Sequence, residues 1–260
     1  MNIPVYIRRR FGLVATVIAC AVSAPVLASE SVHLDKFPTE KMQSMPALQD
    51  GARTFVNYCL NCHSASMMRF NRLQDIGLTD EQISGSLQFT EGRVGDLMKV
   101  AMRHEDGKAW FGAAPPDLSV EARARASESG SGADWIYTYL RSYYRDGSRE
   151  TGWNNAIFPN VGMPNPLWQW QGMRGAVEER VAPVTDEATG KVTGWTKTTI
   201  TYDREGNKSE KVEKVSGDGL HEGTHFTLGT PEGGTLSQAE FDDKVANLVA
   251  FMKFMSDPSA

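Results

Sequence analysis

Cysteine is scarce in this chain: there are three in 260 residues, and only Cys59 and Cys62 lie beyond residue 20. Two cysteines allow at most one disulfide, so a framework of bridges does not hold the fold. Long apolar runs are missing too, since no stretch after residue 30 is apolar enough to span a bilayer. Basic charge is in deficit, with 27 Lys and Arg against 32 Asp and Glu. An acidic surface argues against a nucleic-acid binder and allows steering of a basic partner, although a merely solvated surface fits the same charge. What is present, 40% hydrophobic and 23% charged residues, is the composition of a globular protein.

The first 28 residues contain no acid, and their charges are Arg8, Arg9 and Arg10. An uncharged run from Phe11 to Ala19 follows, and Val26-Leu27-Ala28 offers small residues to a signal peptidase. This reads as a secretory signal peptide over residues 1–28, cleaved after Ala28. The competing readings are a retained membrane helix and a lipid on Cys20, whose preceding residues lack the usual leucine. Removing three arginines takes the formal charge from −5 to −8.

Cys59-Leu60-Asn61-Cys62-His63 is a C-x-x-C-H sequence, the attachment signature of a c-type haem. A helix brings residues three apart to one face, so both sulfurs reach the vinyl groups of one porphyrin edge. The adjacent imidazole is then placed to bind the iron. A thioredoxin-type dithiol needs a strand-to-helix setting, and a zinc site needs a fourth ligand; neither is apparent. The motif occurs once, which predicts one haem c and argues against a dihaem peroxidase.

A second axial ligand has several candidates: eleven methionines and His33, His104, His221 and His225. Met98 and Met102 fall four apart on a predicted helix, as if filling core. Met252 and Met255 are near neighbours on the C-terminal helix. Met163 differs, lying in Phe158-Pro159-Asn160-Val161-Gly162-Met163-Pro164-Asn165-Pro166-Leu167, a segment too rich in proline and glycine for a helix or central strand. A rigid loop can hold a thioether over the iron at little entropic cost, but the residues alone leave the choice open.

Ser44 to Tyr58 reads as a helix entering the haem motif, with Leu48, Ala52, Phe55 and Val56 on one face. Thr79 with Gln82, and Ser237 with Glu240, are capping boxes that open further helices. Phe111 to Ser119, with Ala114-Pro115-Pro116-Asp117-Leu118, is an extended loop, and Ala133 to Tyr144 is an aromatic-rich helix. Between Val177 and Glu213, Thr, Val and Tyr alternate with charge around Asp203-Arg204-Glu205-Gly206-Asn207, predicting a hairpin or small meander. The C-terminal helix ends near Asp257-Pro258 and buries Phe241, Val245, Leu248, Val249, Met252 and Met255.

Several segments in order make the chain resemble the cytochrome c1 family, the haem subunits of bc1 (ubiquinol–cytochrome c reductase) complexes, bacterial forms above all. They are Cys59 to Ser64 with Phe70-Asn71-Arg72-Leu73, Ala114 to Ser119, Ala133-Asp134-Trp135-Ile136-Tyr137, Gly162 to Trp168, and Thr235 to Ser256. The resemblance implies a mainly α, class I cytochrome c-like haem domain over residues 29–257, with loop insertions and a β-rich excursion at 177–230. It implies Met163 as distal ligand and Arg125 beside a haem propionate. Where the family tends to have tyrosine this chain has Trp135. It further implies electron transfer from a Rieske iron–sulfur protein to a c-type cytochrome acceptor, with cytochrome b as a partner, no substrate bond made or broken, and a place on the periplasmic face of the inner membrane. Family members continue into a C-terminal transmembrane anchor; the chain given stops at Ala260, and truncation is the favoured reading.

Overall fold

The computed structural model describes residues 33–89, 92–217 and 219–257, so the predicted signal peptide lies outside the described residues. Ser44 caps the first helix, α1 (Met45–Thr54), by accepting from the Ala47 amide at 3.3 Å, and Pro46 sits in its first turn. The helix then widens into a π turn over Phe55–Cys59 that carries it into the C-x-x-C-H segment. Beyond the motif come β1 (Ala65–Arg69), a 3-10 segment (Phe70–Ile76), α2 (Asp80–Ser86), β2 (Leu97–Met98), α3 (His104–Phe111) and the single turn α4 (Glu121–Ala124). Next are α5 (Gly132–Arg141), the paired strands β3 (Tyr143–Arg145) and β4 (Trp153–Asn155), the turn α6 (Trp168–Gln171) and β5 (Gly172–Met173). Strands β6 (Ala176–Thr185), β7 (Val192–Tyr202), β8 (Lys208–Val215), β9 (Gly223–Leu228) and β10 (Glu232–Gly233) precede the long helix α7 (Gln238–Ser256).

Both predicted capping boxes form, at Thr79–Gln82 and Ser237–Glu240, and a third opens α5 at Ser131–Asp134. The core is built where α1 and α7 cross. A Cβ on Gly51 would lie 2.0 Å from the Asn247 carbonyl oxygen, so only glycine permits this approach. Phe55 meets Phe251 at 5.6 Å between ring centroids. Asp50 ties the same crossing together, accepting from Lys244 at 2.6 Å and Asn247 at 3.0 Å. Burial pushes its carboxyl up, yet those hydrogen bonds and the Lys244 charge outweigh burial and hold it below the ordinary carboxylate value.

Three expectations need correction. The chain is not simply mainly α: β6 to β9 form a four-stranded antiparallel sheet in the order β8-β7-β6-β9. It exceeds the predicted hairpin or meander because β9 returns to the free side of β6, a long-range pairing that local alternation does not announce. Its base rests on Tyr144, whose ring lies 5.0 Å from Tyr202 and 5.9 Å from Phe226, in a small core with Ala176 and Ile200. Second, the helix expected to reach Tyr144 stops at Arg141, and Tyr143 and Tyr144 belong to β3, paired with Asn155 and Asn154. Third, Met98 and Met102 share no helix: Met98 lies in β2 opposite Ala65, and Met102 precedes α3. Among the described residues no helix is long and apolar enough to cross a membrane.

Candidate haem site

The π turn ends on Cys59, whose carbonyl oxygen accepts from the Cys62 amide at 3.1 Å and the His63 amide at 2.9 Å. This turn, rather than a continuing α-helix, gathers the motif. Among the described residues neither cysteine is in a disulfide; Cys59 is buried and Cys62 exposed. Burial, reinforced by nearby Cys62, pushes the Cys59 thiol up to about 12, the opposite of the lowered value of a reactive dithiol. Among the described residues no three His, Cys, Asp or Glu side chains gather as a metal-ion site.

His63 is buried, and its Nδ1 lies 2.8 Å from the Pro116 carbonyl oxygen. A carbonyl only accepts, so Nδ1 carries the hydrogen and Nε2 is left with its lone pair, the tautomer an axial ligand needs. Burial lowers the His63 pKa more than the Pro116 carbonyl and the Glu121 and Asp117 charges raise it, which favours the neutral ring.

The loop that supplies Pro116 is itself clamped to the segment following the motif. Leu118 N–H donates to the Ser64 carbonyl at 2.8 Å, Ser66 N–H to the Asp117 carboxylate at 2.8 Å, and Met67 N–H to Ser119 Oγ at 3.0 Å. Burial raises the Asp117 carboxyl, but donors from Ser119 and Ser66 bring it below its ordinary value.

Met163 is half-buried, and its loop is pinned from both sides. The buried Asn155 accepts from the Ile157 and Phe158 amides at 3.1 and 3.2 Å and donates to the Tyr139 carbonyl at 2.8 Å. Asn154 accepts from the Asn160 amide at 2.8 Å, stabilising a residue whose φ is 62°. Downstream, Asn165 donates to Gln171 at 2.6 Å and accepts from Leu167 N–H at 3.0 Å. The Met163 sulfur lies 3.6 Å from the Tyr139 hydroxyl, which lies 2.6 Å from the fully buried Tyr143 hydroxyl.

Arg125 joins this group through aromatic rings. Its guanidinium stands 4.4 Å from the centroid of Trp135 and 5.9 Å from that of Phe158, and it bonds Glu121 at 2.5 Å. Trp135 in turn stacks on Tyr139 at 4.8 Å. The four other histidines are exposed, and Met98 and Met252 are buried as core filling. Of the residues around the site, the sequence marks Tyr139 only as one of the core aromatics of its helix, and it does not single out Asn154, Asn155 or the Pro116 carbonyl. The adjacent asparagines before a proline-rich loop were the available signal, since buried amides are the usual pins of irregular backbone.

The donor set therefore fits a covalently held haem: two thiols outside any disulfide, an imidazole with Nε2 uncommitted, and a thioether on a fixed loop. Comparison with known proteins agrees. The sequence profile of the Cytochrome C1 family matches residues 38–179. A Nitrosomonas europaea protein named "Ammonia monooxygenase gamma subunit" is 38% identical over 240 residues, covering 91% of this chain and 80% of its own length. Cytochrome c1 of Allochromatium vinosum is 39% identical over 168 residues, 64% of this chain and 66% of its own. Cytochrome c1 of Rhodospirillum rubrum is 26% identical over 162 residues, 54% of this chain and 58% of its own. The profile match ends inside β6, whereas the Nitrosomonas alignment leaves out fewer residues than the sheet contains and so extends into it. With a family match over more than half its length and this donor set, the chain belongs to the Cytochrome C1 family, as an electron-transfer cytochrome carrying one covalent haem c.

Proposed function

We propose that this chain is the cytochrome c1 of a bc1-type quinol–cytochrome c reductase, taking one electron from a Rieske iron–sulfur protein and giving it to a c-type cytochrome. The haem, when bound, supplies a one-electron iron couple. Cys59 and Cys62 would hold it as thioethers, with His63 Nε2 and Met163 Sδ as the axial pair. The observation that carries this reading is the His63 imidazole, held by the Pro116 carbonyl in the tautomer a haem iron needs; the pinned loop of Met163 supplies a thioether to go with it. With both protein ligands on the iron, the chain would relay electrons rather than bind a substrate there.

Arg125 would face a propionate, its flat guanidinium already supported by Trp135. A propionate there competes with Glu121, and the charge-assisted bonds of arginine suit either carboxylate. Pro116 orients His63, and Tyr139 donates toward the Met163 sulfur while Tyr143 donates to Tyr139. The domain would extend over residues 29–257 with the sheet as its insertion. It would stand on the periplasmic side of the inner membrane, exported by residues 1–28 and anchored beside cytochrome b. The N- and C-terminal helices crossing at Gly51, with the motif at the end of the first, support a class I cytochrome c arrangement.

The test is isolation of the tagged full chain from its native membranes. The expected result is co-purification of cytochrome b and the Rieske protein, with the haem reduced on adding quinol. A haem that stays oxidised in a preparation holding all of them contradicts the assignment.

A further inference from the structure

Among the described residues, the outermost strand of the sheet, β8, is hydrogen-bonded to β7 on one side only. Its residues are exposed up to Lys214, and Val212 keeps 59% of its surface. Such an edge offers a row of unpaired N–H and C=O groups to another strand. Edges are often defended by lysine, and β8 has Lys208, Lys211 and Lys214. Here, however, the two inner lysines are answered by Glu210 and Glu213 in a symmetric order. Counted outward from Val212, Lys211 mirrors Glu213 and Glu210 mirrors Lys214.

In a continuous antiparallel sheet, directly opposite residues lie on the same face. Centred on Val212, a second copy of β8 sets Lys211 opposite Glu213 and Glu210 opposite Lys214, each twice, with Val212 against its own copy. Neighbouring registers lose this: centring on residue 211 sets Lys208 against Lys214, and centring on 213 sets Val212 against Lys214. Lys211 and Glu213 already bond within the strand at 2.6 Å, so pairing would close a square of alternating charge on that face. The other face would carry Glu210, Val212 and Lys214 against their complements.

We propose that β8 is a self-recognition edge, through which two copies of this chain join antiparallel about Val212 into one sheet of double width. The occupant is a second copy because the charge order complements itself in a single register. The contact is isologous, so the association closes at two copies and does not propagate. One pair of strands is a small interface, below the roughly 1,200 Å² of stable complexes, so the dimer is weak and concentration-dependent. The contact lies beyond residue 179, outside the family match, and does not depend on the haem assignment.

The experiment uses the full chain, exported and haem-loaded, with the visible spectrum confirming the fold of each variant. Val212→Cys is expected to form a disulfide dimer on mild oxidation, because opposed Cβ atoms stand about 4.5–5.5 Å apart. Ser209→Cys is expected not to, its own copy lying about 20 Å away along the strands. In sedimentation, Lys211→Glu weakens self-association at least tenfold, and Lys211→Glu with Glu213→Lys restores it. Equal cross-linking of the two cysteine variants, a chain monomeric at all concentrations, or a failed charge-swap rescue would each overturn the proposal, as would β8 engaging a strand of a different protein.

Discussion

Tyr139 and Asn155 do the quiet work around the Met163 sulfur. With Tyr143 donating to Tyr139, and Tyr139 donating to the thioether, electron density is drawn from the sulfur, and an oxidised iron bound to it would lose support. Tyr139→Phe removes the donor without opening a cavity. The expected outcome is a lower midpoint potential, the oxidised-to-reduced ratio rising roughly threefold, about the net worth of one buried hydrogen bond. Potentiometric titration measures it, and an unchanged potential places the hydroxyl outside the ligand's influence. Asn155→Ala leaves the Ile157 and Phe158 amides without their acceptor, at a cost of about 2–4 kcal/mol. Chemical unfolding reads that loss, and a high-spin fraction in the ferric spectrum reads the loosened loop. These residues were hidden in the sequence because each acts through a partner at a distance. The motif, by contrast, was legible because its chemistry is local: two thiols and an imidazole at fixed spacing.

Helix α1 meets α7 through the absence of a side chain. Gly51→Ala inserts a methyl 2.0 Å from the Asn247 carbonyl oxygen, and the helices must part. Overpacking of this kind costs about 1–3 kcal/mol, less up to about 1 kcal/mol of gained helix propensity. Thermal unfolding should show a lower midpoint; an unchanged or raised one would mean the crossing yields freely. Asp50, spanning the same helices, makes the contact acid-sensitive. Its folded pKa is depressed, so its contribution is complete above the ordinary value of 3.8 and fades as pH falls through the lower folded value. Asp50→Asn should therefore be less stable than the parent at neutral pH and converge with it as pH falls below the depressed folded value. Equal losses at both pH values would assign the effect to packing. Element starts were readable because Ser44, Thr79 and Ser237 cap within three residues of themselves. The error at Met98 and Met102 arose because β2 is held by pairing with β1, across a sequence gap that periodicity does not see.

Across the whole molecule, a core of crossed helices, a clamped proline loop and a pinned methionine loop would hold the one cofactor proposed. The sheet stands apart, seated on Tyr144. Strands β6 to β8 fall largely within the stretch whose alternating Thr, Val and charge predicted a hairpin or meander; the fourth strand was not foreseen, its place beside β6 being fixed by Phe226 and Leu228 packing at the base. The central claim, a single haem held between His63 and Met163, is tested most directly by the near-infrared spectrum of the ferric holoprotein, parent against Met163→Ala. The account predicts a low-spin spectrum with a sulfur-to-iron band in the parent and its loss in the variant, whose iron then takes up carbon monoxide on reduction. A variant that keeps the band, or a parent that is high-spin and open to ligands, would contradict it.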